Sequence, residues 1–193
     1  EKAALRNPSK KIKIIECGWF PNDWIKKAFL ELAKEVFAKV ELIQLDGRSQ
    51  ENVKMVWQAA DIFCSFSDNI QETFGISPIE AMAAGLPVIV SDWDGYKESV
   101  RDELDGFKIP TLMPSGGLGN DLAILHAVEA DTYDTYIGKS SAFIAIDIEK
   151  AVDRFDRLIK SAELREEIGK NARERTIKSY DWRVIIKQYE DLW

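Results

Sequence analysis

The chain has 193 residues, 46% of them hydrophobic, and a formal net charge of −7. That size and apolar fraction suffice for one domain around a buried core. The acidic balance excludes nucleic acid or an anionic membrane as a bulk partner, since both reward clustered Lys and Arg. No apolar run approaches the roughly 20 residues that cross a bilayer.

Glu1–Arg6 reads as the last turns of a helix, with no signal-peptide pattern. The expectation is a piece of a longer polypeptide, cut inside an element. Strands are predicted at Ile12–Cys17 and Val40–Leu45 around a helix at Asp23–Val36. Asp46-Gly47-Arg48 then forms a turn, either a plain one or a nucleotide contact, before a helix at Gln50–Ala60. A short strand follows at Ile62–Cys64. Arg6, Lys10 and Lys11 flank a strand start and read as solvated. Cys17 and Cys64 lie in or beside strands, so buried thiols are expected, a usage that fits a reducing cytosol.

The most informative stretch is Ser67–Tyr96, SDNIQETFGISPIEAMAAGLPVIVSDWDGY. Glu72 sits in a loop beyond the Ile62–Cys64 strand, and Thr73-Phe74-Gly75-Ile76 lead into a helix from Ser77 to Ala84. A helix N-terminus offers free N–H groups and partial positive charge, a natural seat for phosphate. Gly75 lets a ligand approach with no Cβ in the way. Glu80 lies about one turn inside the helix, where a carboxylate can accept two vicinal hydroxyls of a ribose. Surface exposure is the ordinary fate of Glu. Here the neighbours Ile79, Ala81, Met82, Ala83 and Ala84 predict an apolar helix in which a carboxylate needs partners. Carboxylate, amides, carboxylate suits a sugar joined to a nucleotide through a diphosphate. Asp68 and Asn69 read as loop caps.

Gly85-Leu86-Pro87 stops this helix and opens a strand at Val88–Ser91, followed by a helix at Tyr96–Val100 and a strand at Gly106–Ile109. Residues 111–141 read as an insertion on the ligand edge, with a helix at Asp121–Glu129 and a polar-aromatic break at Asp131–Tyr136. A short strand is expected at Ala142–Ile146. The remainder is helical: Glu149–Ser161, Ala162–Ser179, and a last helix capped by Asp181. Short strands apolar on both faces predict a Rossmann-like, doubly wound parallel sheet, with the ligand beyond the strands' carboxyl ends. His126, the only histidine, falls outside any motif and reads as structural. No His/Cys/Asp cluster has metal-ligand spacing, so neither a protein-built metal site nor another cofactor is expected.

Glu72-Thr-Phe-Gly-Ile-Ser-Pro-Ile-Glu80-Ala-Met-Ala-Ala-Gly-Leu-Pro-Val resembles the E-x7-E signature of retaining, nucleotide-sugar-dependent glycosyltransferases of family 4, with the GT-B fold. Trp57–Phe63, Ser91–Tyr96 and the stretch from Glu163 to Trp193 are similar to the family's flanking elements, so the resemblance covers nearly the whole chain. It implies that residues 1–193 are a carboxyl-terminal donor-binding domain with a helical C-terminal segment. The first strand of that domain and the amino-terminal acceptor domain would lie outside the sequence. It implies a place for Glu72 beside the donor sugar. Reaction would occur at the front face with the leaving diphosphate as base, or by double displacement through Glu72; the residues do not choose. Phe74, Gly75 and Ile76 would bind the sugar and diphosphate through N–H groups, Glu80 the ribose, and Asp46, Gly47 and Arg48 the base. Glu98 matches a position near the sugar. Family members grip the diphosphate with an Arg and a Lys placed after the missing strand, so this piece alone is expected to be inactive. The implied partners are a nucleotide sugar and an acceptor held by the absent domain. The parent would be cytoplasmic, with peripheral membrane association left open. A non-catalytic nucleotide-sugar or protein-binding module, or an epimerase or glycogen-type synthase of the same fold, stands as the alternative.

Overall fold

A computed structural model describes all residues, Glu1–Trp193. In chain order the elements are α1 (Lys2–Arg6), β1 (Ile12–Gly18), α2 (Asp23–Val36), β2 (Val40–Asp46), α3 (Gln50–Ala59), β3 (Phe63–Ser65), α4 (Ile76–Ala83), β4 (Val88–Ser91) and α5 (Tyr96–Ser99). There follow β5 (Gly106–Ile109), β6 (Thr111–Leu112), α6 (Asn120–Ala127), α7 (Tyr133–Ser141), β7 (Ala145–Ile146), α8 (Ile148–Lys160), α9 (Ala162–Ser179) and α10 (Trp182–Leu192).

The expected parallel α/β architecture is present, with its strands divided among sheets. β1 pairs with β2, and β4 lies between β3 and β5, all parallel; β6 and β7 form a small antiparallel pair. Val88 is in register with Phe63 on one side and Gly106 on the other, which makes β4 the central strand. All four of its residues are buried, which explains the uninterrupted Val-Ile-Val run. Alternate residues face opposite layers. Val88 and Val90 pack with Met82, Tyr96, Val100 and Ala172, while Ile89 packs with Phe107, Ile109, Leu158 and Ile168. Burying each such aliphatic or aromatic side chain contributes about 1.5–3 kcal/mol relative to exposure.

The division has a local cause: β1 and β3 each present one hydrogen-bonding edge to no strand. Cys64 on β3 is exposed rather than buried as expected, and Cys17 is half-buried; both are free thiols. Desolvation by surrounding protein atoms nonetheless pushes the Cys64 thiol up. Burial is also uneven along the chain. From Ile12 to Ala60 only Ala33 and Val40 are buried, and Trp24, Leu32 and Val36 on α2 are exposed.

α9 packs on α4, and α8 covers the other sheet face. α1 docks on α8, where Asn7 donates through Nδ2 to Asp156 at 2.7 Å. The stretch read as a break at Asp131–Tyr136 instead starts α7. Thr132 caps it by accepting from the Thr135 N–H at 3.2 Å, and Ile137 alone is buried. One apolar contact in nine residues left no periodicity to read. β7 is shorter than the predicted strand because Ala142 and Phe143 form the turn that ends α7, with the Phe143 and Ile144 N–H groups donating to the Ser140 and Ser141 carbonyls.

Candidate functional site

Two loops meet at the carboxyl ends of β3 and β4. The β3–α4 loop, 66–75, is held from below by the β4–α5 loop. Trp93 Nε1 donates to the Asn69 carbonyl at 2.8 Å, and Ser91 Oγ to the Ser67 carbonyl at 2.5 Å. Gly95 lies so close that a Cβ there would overlap the Phe74 Cα and the Thr73 carbonyl. Within the loop, Asn69 Oδ1 accepts from the Gln71 N–H at 2.9 Å, the cap role expected of it.

Tyr96, which the sequence offers only as part of a Trp93–Tyr96 stretch shaping the sugar pocket, has a specific role. Its ring is 1% exposed and its hydroxyl donates to Glu72 Oε2 at 3.3 Å, while Ser65 Oγ lies 2.9 Å from the same oxygen. A chain from Ser65 through Tyr96 thus orients Glu72. Burial, then the Glu72 charge, pushes the Tyr96 hydroxyl up, and the Ser65 hydrogen bond opposes this. The sequence signal was weak: a lone Tyr after an Asp-Gly pair reads as any helix start.

Gly75 sits at φ +75. A Cβ there would collide with the Tyr96 ring and lie 3.2 Å from Glu72 Oε1. Gly75 is therefore required by this packing, beside whatever ligand approaches it. α4 begins immediately after it without a side-chain cap. The N–H groups of residues 74–77 that exist all lack a protein acceptor, leaving a run of donors at a helix N-terminus.

Glu80 departs from expectation. α4 buries only Pro78, Ala81 and Met82, on one face toward β4 and α9, and Glu80 is exposed on the other with Ile76. The helix is not apolar all round, so Glu80 needs no internal partner and has none among the side chains. Its carboxylate stands free on the same open face as the donors.

Asp46, Gly47 and Arg48 lie at the end of β2, in the sheet not hydrogen-bonded to that of Glu72. Arg48 Nε and Nη2 donate to Asp46 at 3.0 and 2.8 Å, and this holds the Asp46 carboxyl at about 2. Gly47 packs on the end of β1, where a Cβ would lie 2.8 Å from the Cys17 carbonyl. The backbone N–H groups are engaged as well, Gly47 donating to the Gly18 carbonyl at 3.0 Å and Arg48 to Asp46 Oδ1 at 2.9 Å, so the turn offers the Gly47 and Arg48 carbonyls and Arg48 Nη1. Glu98 is exposed. His126 stacks on Tyr136 with ring centroids 5.4 Å apart, a structural place. No group of three His, Cys, Asp or Glu could hold a metal ion, and no helix is long and apolar enough to cross a membrane.

Residues 4–112 match the model of a family described as Glycosyl transferases group 1. Lipopolysaccharide 1,2-N-acetylglucosaminetransferase of Salmonella typhimurium is 28% identical over 136 residues, 70% of this chain and 35% of that protein. Phosphatidyl-myo-inositol mannosyltransferase of Mycobacterium leprae is 37% identical over 82 residues, 42% of this chain and 21% of that protein. The chain thus spans about a fifth to a third of these relatives' length. Among solved structures, the C-terminal domain of a glycosyl transferase group 1 family protein (LpcC) from Francisella tularensis superposes with a TM-score of 0.60 at 21% identity. That match covers 94% of this chain and 77% of that one. Anabaena Alr3699/HepE in complex with UDP and glucose gives 0.59 at 17% identity, covering 99% and 42%. The fold is that of GT-B carboxyl-terminal domains.

Proposed function

Because the chain belongs to the group 1 glycosyl transferases, we propose that it is the donor-binding half of a retaining enzyme that moves a sugar from a nucleoside diphosphate to an acceptor. The observation that carries this reading is the open face of α4: unpartnered N–H groups at residues 74–77 beside the oriented Glu72, with a free Glu80 farther along the helix. The N–H groups of Phe74, Gly75 and Ile76 take the diphosphate and stabilise charge as it leaves. Glu80 takes the ribose diol. Glu72 contacts the donor sugar, one of its oxygens held by Tyr96. That hydrogen bond lowers the carboxylate's nucleophilicity and favours a positioning role over covalent attack. In the front-face course the acceptor oxygen bonds to the anomeric carbon as the diphosphate departs, and the departing phosphate oxygen takes the acceptor's proton. Asp46–Arg48 meets the base through backbone atoms.

A strand from the rest of the polypeptide fits between the free edges of β1 and β3 and covers Cys64. The cations that complete the diphosphate site follow that strand, and a further domain completes the acceptor site, so residues 1–193 do not turn over alone. The enzyme works in the cytoplasm.

The test is calorimetric titration of the chain with UDP, GDP, ADP and their sugars. Base-selective binding that Glu80→Ala removes supports the reading. In the full-length enzyme, Glu72→Ala abolishes most transfer. Near-normal turnover there, together with base-selective binding that survives Glu80→Ala, overturns it.

A further inference from the structure

Beside the Glu72 loop lies a hollow of about 310 Å³, within the range of small-molecule sites. Its inner wall is Trp93 with Asp68 and Ile70, which come from the same loop as Glu72. Its outer wall is the 111–147 segment, contributing Met113, Leu118 and Phe143. None of the residues assigned to the donor (Phe74, Gly75, Ile76, Glu80, Asp46, Gly47, Arg48) lines it. The donor reading leaves this space unused.

The lining is apolar and largely unfilled by protein. Ile70 is 47% exposed, Met113 56%, Leu118 74% and Phe143 60%, although all converge on one hollow. Such a concentration around a concavity is a binding feature, unlike scattered surface apolar residues. Gly116 and Gly119 line the same hollow. Neither has a positive φ, and a Cβ on either would meet no protein atom within 4 Å. Neither backbone conformation nor packing asks for glycine there, and the missing side chains keep the hollow open. The Asp68 carboxylate has no hydrogen-bond or ion-pair partner in the protein and lines the hollow as an acceptor for a hydroxyl.

We infer that this hollow takes the aliphatic chain of an amphiphilic acceptor, whose hydroxyl-bearing head faces Asp68 and the Glu72 loop. That the ligand is an acceptor rests on the glycosyl-transfer reading; that the hollow takes an aliphatic chain does not. Segment 111–147 is then a specificity element that the donor domain contributes to acceptor choice.

The experiment is amide and indole NMR on residues 1–193, titrated separately with n-octyl β-D-glucoside below its micelle concentration, with glucose, and with UDP. The Trp93 indole N–H, assigned with Trp93→Phe, shifts saturably with octyl glucoside and not with glucose at equal concentration. Gly116→Val fills the hollow without meeting protein, and Leu118→Ser removes apolar wall. Each weakens octyl glucoside at least ten-fold and leaves UDP binding unchanged. Absence of saturation, an equal response to glucose, or shifts confined to α10 overturns the inference. So does octyl glucoside binding unaltered by both variants. Octyl glucoside binding with no UDP binding supports the hollow and counts against the donor reading; UDP binding alone does the reverse.

Discussion

Replacing Gly75 by Ala tests the packing that builds the site. The backbone there is at φ +75, and the new methyl would run into the Tyr96 ring. That ring is 1% exposed and tied by its hydroxyl to Ser65 and Glu72, so it has no free space into which to turn. A non-glycine residue in the left-handed region costs about 1–2 kcal/mol, and overpacking a filled core about 1–3 kcal/mol. The sum is about 2–5 kcal/mol, and each kcal/mol moves Tm by about 2–4 °C in a chain of this size. Thermal unfolding followed by circular dichroism should show a fall on the order of 10 °C. The cause is separable with Tyr96→Leu, which removes the obstructing ring. In a double-mutant cycle the pair then costs about 1–2 kcal/mol less than the two single losses combined, leaving the backbone strain alone. Losses that simply add would refute the role of the ring, and an unchanged Tm for Gly75→Ala would refute the packing altogether.

Tyr96 carries a second expectation. Its hydroxyl is raised above the ordinary tyrosine value of 10.0 by burial first and the Glu72 charge next. The neutral form is therefore favoured in the folded state; its stabilisation is complete below pH 10 and lost as pH rises through the folded value. Absorbance at 295 nm should show one of the five tyrosines ionising after the others, a step absent from Tyr96→Phe. Asp105 is fully buried between Arg101, at 2.6 Å, and Arg175, at 3.5 Å. Asp105→Ala should lower the unfolding free energy in urea by about 1–3 kcal/mol, because it removes charge-assisted hydrogen bonds from two arginines that are themselves 47% and 20% exposed; a loss under ~1 kcal/mol would mean water already serves these arginines. Asp181 caps α10 and is held at about 2 by Arg183. Its depressed value means the cap is intact above the unfolded value of 3.8 and is lost as pH falls through about 2. Trp182 fluorescence should be flat from pH 7 to 4 and change below it, and Asp181→Ala should remove the step.

The strands, the helices from Ile148 onward and the loop–helix–strand around Glu72 were legible because each pairs a strong apolar period with clear punctuation. Gly85-Leu86-Pro87 and Asp181 are such marks. α7 was not, since a helix that buries only Ile137 leaves no stripe to count. Glu80's exposure was misjudged because composition counts apolar neighbours without saying which face they occupy. Ala83 and Ala84 are exposed despite being small and apolar. Trp93–Tyr96 reads in the sequence as a stretch that shapes the sugar pocket, but the hydrogen-bonding role of Tyr96 does not, because it comes from Ser65 and Glu72, 31 and 24 residues away.

The uneven burial along the chain makes the domain mechanically two-tiered. With only Ala33 and Val40 buried between Ile12 and Ala60, and a two-stranded β1–β2 sheet as its frame, the amino-terminal unit is the weaker foldon. Glu72, Tyr96 and α4 stand on the sturdier tier of β3, β4, β5, α8 and α9. Brief opening of the first tier, or its cleavage by a protease, therefore displaces the turn at Asp46–Arg48 while the loop that carries Glu72 keeps its shape. The Asp46–Arg48 turn and the Glu72 loop thus draw on separate reserves of stability.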